Sequence, residues 1–477
     1  MPFHLPAADP KGPVQANWDS IKEHYQVPEW FRDGKFGIFM HWGIYSVPAH
    51  HSEWYVRYVY GGGADADWHV QNFGPLNKFG YKDFIPMFTA AKWDPDQWAE
   101  LFRRSGAKYV IPSAEHHDGF SLWDSASNKY NAKNMGPKRD LIGDLGKAVR
   151  AKGLKFGMSN HSVNHFNFVP LNPNSDQSDP AWADFYSVDR SPAARQKFND
   201  LWVKKNFELI DQYQPDMLWF DGIGGQASDA MKLQVAAHYF TRAAEWGKPV
   251  TLSGKGKDFP AGAVLDYERQ GRIYPRGIKT FDWQVDDPMG NKFAYVKEIQ
   301  YKDAALLIHR LIDCASMNGN YLMNISPMAD GTIPQEQQDR LLAMGKWLEI
   351  NGDSIYGTTA WTRYGEGPYY AAPTPAWVAP GPDDPPGESY TAKEIRFTTK
   401  GDTLFAILMA WPGERAVITS LGTSETLKGE VQRVELLGHK GNLKFTRDSG
   451  GLQVEMPTQQ PCEYAFALKI TGLKLTQ

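Results

Sequence analysis

Short apolar runs recur along most of the chain, and each is followed by a longer stretch whose apolar residues share one helical face. Runs of this length between turn signals are typical of buried strands. The strand candidates are Phe36–Met40, Tyr109–Pro112, Lys155–Met158, Met217–Phe220, Pro249–Leu252, Val264–Tyr267 and Tyr321–Ile325. This alternation predicts a parallel sheet covered by helices, because parallel neighbours need a crossover connection.

The stretches between these strands carry the start and stop signals of helices. Asp94-Pro95 and Ser191-Pro192 each place a capping side chain before a proline in the first turn. Ser228 begins a third helix that ends at Gly247, and Thr332–Pro334 begins a late one. Seven strand candidates separated by helices predict a (β/α)8-like barrel.

The pattern changes after residue 357. Residues 371–390 are rich in Pro and Gly, and short alternating runs follow them without a helical stripe. The runs are Glu394–Phe397, Thr403–Leu408, Ala416–Ile418 and Gln432–Leu437. They predict a C-terminal antiparallel β-sandwich over residues 358–477, after a barrel over residues 1–357.

Titratable and amide side chains stand at the ends of five predicted strands, where barrel enzymes carry their active sites. They are His41, His116 and His117, Asn160 and His161, Asp221, and Asp266 with Glu268. Each has a structural explanation when taken alone: a satisfied buried histidine, a helix cap at Asp221, or pairing of Glu268 with Arg269 or Arg272. Their recurrence at equivalent positions predicts one shared pocket.

The carboxylates among these residues suit glycoside hydrolysis. A retaining glycosidase needs an ionised nucleophile and a protonated acid about 5–5.5 Å apart. Like charge and burial separate the pKa values of such a pair and so assign the two roles. Alternation along the strand places Asp266 and Glu268 on one side and Tyr267 on the other.

The clustered histidines also raise the possibility of a metal. Zinc sites have characteristic ligand spacings such as HExxH, and none occurs in this sequence. His116 and His117 are neighbours on a segment expected to be extended, so their side chains should diverge. We therefore expect no metal and no cofactor, and expect the histidines to bind sugar hydroxyls.

Composition and charge narrow the functional class. The chain has 17 Trp, 22 Tyr and 25 Phe, which fits sugar binding but also fits a well-filled core. A formal net charge of −4 and the lack of a basic run argue against nucleic-acid binding. No stretch approaches the roughly 18 apolar residues of a membrane span.

The first residues show neither a basic region nor an apolar signal core. We expect a periplasmic or secreted protein whose signal has been removed, with a cytoplasmic location as the alternative. The sequence does not indicate an oligomeric state.

Several segments resemble the α-L-fucosidases of glycoside hydrolase family 29. They are Trp30–Gly43, Ser52–Tyr55, Tyr109–Phe120, Leu218–Gly222 and Asn318–Pro334. They occur in family order, and the segments around Glu115 and Asp221 are the most specific.

The resemblance implies a (β/α)8-like barrel with a C-terminal β-sandwich. It implies an exo-acting retaining hydrolase that releases terminal α-L-fucose from glycoconjugates or oligosaccharides by double displacement. Asp221 is the implied nucleophile. The implied sugar pocket contains His41, Glu53, Trp54, His116 and His117; we add Asn160, His161 and Trp219 as substrate-binding candidates from their positions.

Two departures from the family pattern bear on the mechanism. Many members carry a Trp-Glu pair whose Glu is a candidate acid/base, whereas the matching segment here begins Trp283-Gln284. We predict that Glu268 acts as the acid/base in place of that glutamate, with Asp266, Asp286 and Asp287 as alternatives. The family's aromatic segment after the third strand is replaced by Ser159–His165, which alters the contacts near the nucleophile.

Two other functions compete with fucose release. One is the same chemistry on a related α-L-hexoside, such as an L-galactoside or L-glucoside. The other is a carbohydrate-binding protein that kept the barrel but lost its acid/base. A polar group near C6 of the sugar would favour activity on another α-L-hexoside. The absence of an acid/base carboxylate would favour a binding protein without activity.

Overall fold

A closed barrel of parallel strands forms the larger part of the structure. The computed structural model describes residues 13–268, 277–371 and 390–475. The barrel strands are β1 (Phe36–Met40), β2 (Tyr109–Glu115), β3 (Lys155–Phe156), β4 (Met158–Asn160), β5 (Met217–Phe220), β6 (Thr251–Lys255), β7 (Ala263–Glu268), β8 (Trp283–Pro288) and β9 (Gly319–Ile325). Neighbours pair in the order β1-β9-β8-β7-β6-β5-β4-β2, and β2 pairs back to β1.

The predicted (β/α)8-like barrel is confirmed, with β3 and β4 as two halves of its third strand. Gly157 separates the halves, and a Cβ there would lie 2.8 Å from the carbonyl oxygen of Met217. The close approach of β5 therefore requires glycine at this position.

The eighth barrel strand was not among the seven predicted strands. It is β8, and all six of its residues are buried although three of them are Gln284, Asp286 and Asp287. Buried polar side chains inside a barrel break the apolar pattern that identifies a strand, so hydrophobicity alone could not reveal it.

Helices surround the barrel and begin at the predicted caps. They are α1 (Trp18–His24), α2 (Glu29–Gly34), α3 (Tyr55–Gly61), α4 (Ala64–Phe73), α5 (Pro95–Arg104), α6 (Leu141–Ala151), α7 (Pro192–Tyr213), α8 (Asp229–Trp246), α9 (Ala304–Ser316), α10 (Gln335–Asn351) and α11 (Pro368–Ala371). The side chains of Asp94, Ser191 and Ser228 accept backbone N–H groups in the first turns of α5, α7 and α8.

Two apolar layers hold the barrel together. Alternate strand residues fill its interior, among them Phe39, Ile111 and Trp219, and Phe31 of α2 joins this cluster. The other strand faces pack against the helices in a larger cluster. Filling the interior leaves the carboxyl ends of the strands as the open face. None of the helices in the described parts of the chain is long and apolar enough to cross a bilayer.

The C-terminal part contains two antiparallel sheets, as predicted. Its strands are β10 (Thr359–Glu366), β11 (Ile395–Lys400), β12 (Thr403–Leu408), β13 (Arg415–Ile418), β14 (Gly429–Leu436), β15 (Phe445–Asp448), β16 (Gly451–Glu455) and β17 (Phe466–Leu473). One sheet has the order β10-β11-β12-β17-β14 and the other β13-β16-β15. Apolar residues of both sheets share one core.

The five-stranded sheet packs on α9 and α10 through polar as well as apolar contacts. The Trp347 indole N–H donates to the Ala465 carbonyl at 2.8 Å. Arg396 Nε of β11 lies 2.6 Å from Asp313 Oδ1 of α9, and both residues are buried. The Arg396 guanidinium also donates to Glu394 at 3.0 Å, so the junction encloses a charged cluster.

We expect Arg396→Met to lower the free energy of unfolding by about 3–5 kcal/mol, because Asp313 would remain buried without its cation. Arg415→Met, which changes an exposed arginine of β13, serves as the control and should cost less than about 0.5 kcal/mol. Urea unfolding followed by fluorescence measures both. Equal midpoints for the two variants would show that the buried pair does not stabilise the junction.

Candidate active site

The carboxyl ends of the barrel strands bring four histidines around one aspartate. His41 follows β1, His116 and His117 follow β2, His161 follows β4, and Asp221 follows β5. The His116 ring centroid lies 5.3 Å from that of His41 and 4.6 Å from that of His161. The shared pocket predicted from strand ends is therefore formed by residues from four strands.

Asp221 contacts three polar side chains. Its Oδ2 lies 3.3 Å from both His117 Nε2 and His161 Nδ1, and its Oδ1 accepts from Lys255 Nζ at 2.6 Å. Burial by itself raises the pKa of the Asp221 carboxyl, but the Lys255 charge and the two histidine contacts outweigh it and hold the pKa well below its usual value. Asp221 is thus ionised at neutral pH.

Lys255 also binds the second predicted carboxylate. Its Nζ donates to Glu268 Oε2 at 2.6 Å, the same distance as to Asp221. The two carboxylate oxygens are therefore at most twice 2.6 Å apart. Retaining glycosidases also keep their two carboxyl groups close, at about 5–5.5 Å, whereas inverting enzymes hold them further apart.

Asp221 sits on a tight turn that aims it into the pocket. Gly222 follows it with φ 54°, a left-handed conformation that disfavours other residues. The next residue, Ile223, donates its N–H to Asp258 Oδ2 at 3.2 Å, and Lys255 donates its own N–H to the same oxygen at 2.9 Å. Asp258 thereby ties the loop after β5 to the end of β6.

The expected divergence of His116 and His117 is wrong. Strand β2 ends at Glu115, so the two histidines do not lie on extended backbone, and their ring centroids are 4.3 Å apart. Both rings reach the pocket as a result. The Nδ1 of His117 donates to the His161 carbonyl at 2.9 Å, which turns its Nε2 toward Asp221.

Two buried polar atoms in the pocket lack a partner among the described residues. They are Glu53 Oε2 and His116 Nδ1. Burial raises the pKa of Glu53 and lowers the pKa of His116 well below its ordinary value. Unpaired buried acceptors and donors are costly, so both atoms are suited to a hydroxyl-rich ligand. Trp54 remains 37% exposed beside His117, with ring centroids 5.8 Å apart.

Comparisons with known proteins show which family the chain belongs to. Residues 4–353 match the family model described as alpha-L-fucosidase, and residues 388–471 match the alpha-L-fucosidase C-terminal domain. The chain belongs to the α-L-fucosidase family. This confirms the family predicted from the motifs, together with its class as a glycoside hydrolase and its two-part architecture.

Relatives in this family match nearly the whole chain. Tissue alpha-L-fucosidase of Mus musculus is 31% identical over 471 residues, covering 95% of this chain and 94% of the relative. The Homo sapiens tissue enzyme is 30% identical, covering 98% and 94%. The solved structure of Thermotoga maritima alpha-fucosidase in complex with fucose has 30% identity and a TM-score of 0.76, covering 96% and 100%.

Asn160 does not line the pocket as predicted. Its Nδ2 donates to Asn206 of α7 at 3.1 Å, and its Oδ1 accepts from the backbone and side chain of Ser162. The amide is fully buried and supports the loop behind the site. Trp219 lies in the barrel interior beneath Lys255. Its indole N–H donates to Asp266 at 2.8 Å, and Lys255 Nζ lies 5.1 Å from its ring centroid.

The alternative acids have other partners. Asp266 and Asp286 face each other in the barrel interior, where burial raises the pKa of both carboxyls. Asp287 faces the other way, toward the Arg310 guanidinium and the Tyr321 hydroxyl. Among the carboxyls of the described barrel, Glu268 is the one that shares a cation with Asp221.

Gln284 stands where many family members place the glutamate of their Trp-Glu pair. Its amide donates to Ser253 at 2.9 Å and accepts from the Tyr109 hydroxyl at 3.1 Å, inside the barrel. Arg269 and Arg272, the possible partners of Glu268, lie outside the described residues.

Sequence reasoning missed two residues of the site. Lys255 ends β6, and Asn324 of β9 accepts from His41 Nδ1 at 2.7 Å while donating to the Phe293 carbonyl. The rule that found Asp221 would have found Lys255, had the sixth strand been followed three residues further. In the sequence, Asn324 was noted only as part of the family-like segment Asn318–Pro334.

The histidines could hold a metal by distance alone. In the described chain, ligand atoms of His41, His116 and His161 lie within 4.8 Å of one another, as do those of His117, His161 and Asp221. However, Nδ1 of His41 is engaged by Asn324, and His161 contacts Ser159 and Asp221 through its two nitrogens. These contacts orient neutral rings toward a ligand rather than requiring an ion.

We expect glycosidase activity to survive extended dialysis against EDTA, because the site's charge is balanced by Lys255 and needs no ion. Elemental analysis of the untreated protein should find less than one equivalent of any transition metal. A stoichiometric metal whose removal abolishes activity would contradict this prediction.

Proposed function

We propose that this protein releases terminal α-L-fucose from fucosylated glycans with retention of configuration, using Asp221 as nucleophile and Glu268 as acid/base. The observation that carries the proposal is the pair of carboxylates that share the Lys255 ammonium group. The fucose bound in the T. maritima relative supports the choice of sugar.

The negative charge of Asp221 suits the first step. Asp221 is ionised and attacks the anomeric carbon, while the bond from that carbon to the glycosidic oxygen breaks. Glu268 donates a proton to the leaving oxygen, so the aglycone departs as a neutral alcohol. The product of this step is a fucosyl ester on Asp221.

The second step reverses the roles. Glu268, now ionised, takes a proton from water, and the resulting hydroxide equivalent attacks the anomeric carbon. The ester bond breaks and Asp221 is regenerated as a carboxylate. The 26% exposure of the Glu268 side chain supports this role, because water and varied aglycones must reach the acid/base.

The remaining pocket residues suit recognition of the sugar. Glu53 Oε2 and His116 Nδ1 are buried and unpartnered among the described residues, so sugar hydroxyls would satisfy them. His41 presents its free ring edge to the same space. These groups are buried at the ends of the strands, which suits one terminal sugar and is the basis for proposing an exo-acting enzyme. Comparing aryl α-L-fucoside with aryl α-L-galactoside tests the choice of sugar.

Asp221→Gly should lower kcat on an aryl α-L-fucoside by several orders of magnitude, because it deletes a reaction step. Azide should restore turnover and yield a fucosyl azide of inverted configuration. Asp402→Gly, in an exposed turn between β11 and β12, is the matched control and should keep normal activity. Near-normal turnover of Asp221→Gly without azide would remove this residue from the mechanism.

Glu268→Ala should distinguish substrates by their leaving groups. An aryl fucoside with an acidic phenol needs little protonation, so the variant should form the fucosyl ester and then stall until azide replaces activated water. A fucosylated disaccharide should lose far more activity.

Glu425→Ala, at an exposed glutamate of the C-terminal part, is the control for this comparison. Equal losses on both substrates, with no response to azide, would transfer the acid/base role away from Glu268.

A further inference from the structure

Lys255 stands between the two reacting carboxylates and touches both. Its Nζ is 2.6 Å from Asp221 Oδ1 and 2.6 Å from Glu268 Oε2. Its side chain is 21% exposed, similar to those of its two partners. The glycosidic bond has to pass between these carboxylates during hydrolysis, so Lys255 Nζ occupies space that the substrate needs.

The backbone holds Lys255 in this position. Its N–H donates to Asp258 Oδ2 at 2.9 Å, and the same oxygen accepts from Ile223, two residues after the nucleophile. Its Nζ lies over the face of the Trp219 ring, 5.1 Å from the ring centroid. The lysine and the nucleophile are therefore positioned by one shared hydrogen-bond acceptor.

The surrounding charges make Lys255 the dominant cation of the pocket. Titratable groups face Lys255 and its partners from the neighbouring elements: Asp221, Glu268, Asp266, Asp286, Glu53, His41, His116, His117 and His161. The Asp221, Asp286 and Glu268 charges outweigh burial and raise the pKa of Lys255 well above its ordinary value. The ammonium group thus stays charged over the whole working pH range.

We propose that Lys255 is a positioning residue whose ammonium group occupies the place of the substrate's developing positive charge in the free protein. It spaces Asp221 and Glu268 for a retaining mechanism, keeps the nucleophile ionised, and withdraws from Glu268 when the sugar binds. The withdrawal is required, because the glycosidic bond has to pass through the space between the two carboxylates that Nζ occupies. This inference rests on the proposed function.

The resident charge has two opposite consequences. It repels any cationic ligand that must lie between the carboxylates, and it protects Asp221 from protonation at low pH. Removing it should therefore improve binding of a cationic sugar analogue while narrowing the activity profile on the acid side. A residue that only filled space would produce neither effect.

The experiment compares Lys255→Met with Lys255→Arg, which keeps the charge, and with Lys257→Met at an exposed neighbouring lysine. Calorimetry measures the Kd of neutral L-fucose and of a protonated fuco-configured piperidine. In Lys255→Met the affinity ratio should move toward the cation by at least about tenfold. The acid limb of kcat/KM should move up by at least about one pH unit. Both quantities should stay near wild type in the two other variants.

An unchanged affinity ratio in Lys255→Met, or a loss of activity that is equal at every pH, would overturn the proposal. Lys255→Gln is measured in the same way should the Met variant not fold by circular dichroism. Infrared titration of carboxyl groups in the ligand-free protein supplies a readout that needs no substrate. In this titration, one carboxyl group of Lys255→Met should titrate at higher pH than in the wild type. A wild-type protein that is inactive on fucosides would refute the proposed function and leave this inference about Lys255 standing.

Discussion

Asp221 and Glu268 both contact the Lys255 ammonium group in a partly buried pocket, and the arrangement of the site depends on this shared cation. Two carboxylates this close would repel each other if no cation stood between them. Lys255 offsets the repulsion by contacting both, and the histidine contacts at Asp221 Oδ2 further stabilise the charge of Asp221. The barrel makes the arrangement possible, because β5, β6 and β7 are adjacent and deliver Asp221, Lys255 and Glu268 to the same rim.

The sequence predicted those parts of the fold and site that have a local signature. Strand ends identified Asp221 and the histidines, since an apolar run followed by a polar residue is visible in one dimension. Strand β8 was missed because its buried polar side chains are paired across the barrel, as Gln284 is with Ser253. The turn after β2 that joins the His116 and His117 rings depends on tertiary packing, so alternation along an extended segment gave the wrong expectation.

Buried polar pairs behind the pocket explain how its side chains keep their orientation. Glu115, which directly precedes His116, is fully buried and contacts Lys205 of α7 and the Ser121 hydroxyl. His165 donates from Nδ1 to the carbonyl of His117 at 2.7 Å. The helix layer thus fixes the backbone on both sides of the His116–His117 turn. Replacement of one partner would leave a buried charge or carbonyl unsatisfied, which makes these residues part of the site's architecture although they lie outside the pocket.

Burial disfavours positive charge on three of the pocket histidines. Burial lowers the pKa of His161 to about 4 and lowers the pKa of His41 and His116 well below the ordinary value. Charged rings would compete with Lys255 for Asp221 and would oppose positive charge at the anomeric carbon. Neutral rings instead offer one donor and one acceptor each, which matches vicinal hydroxyls. His161 differs from the others, because both of its nitrogens contact protein groups: Nδ1 lies against Asp221 and Nε2 against the Ser159 hydroxyl. The pocket thus combines rings on which burial disfavours positive charge with one lysine ammonium that contacts both Asp221 and Glu268.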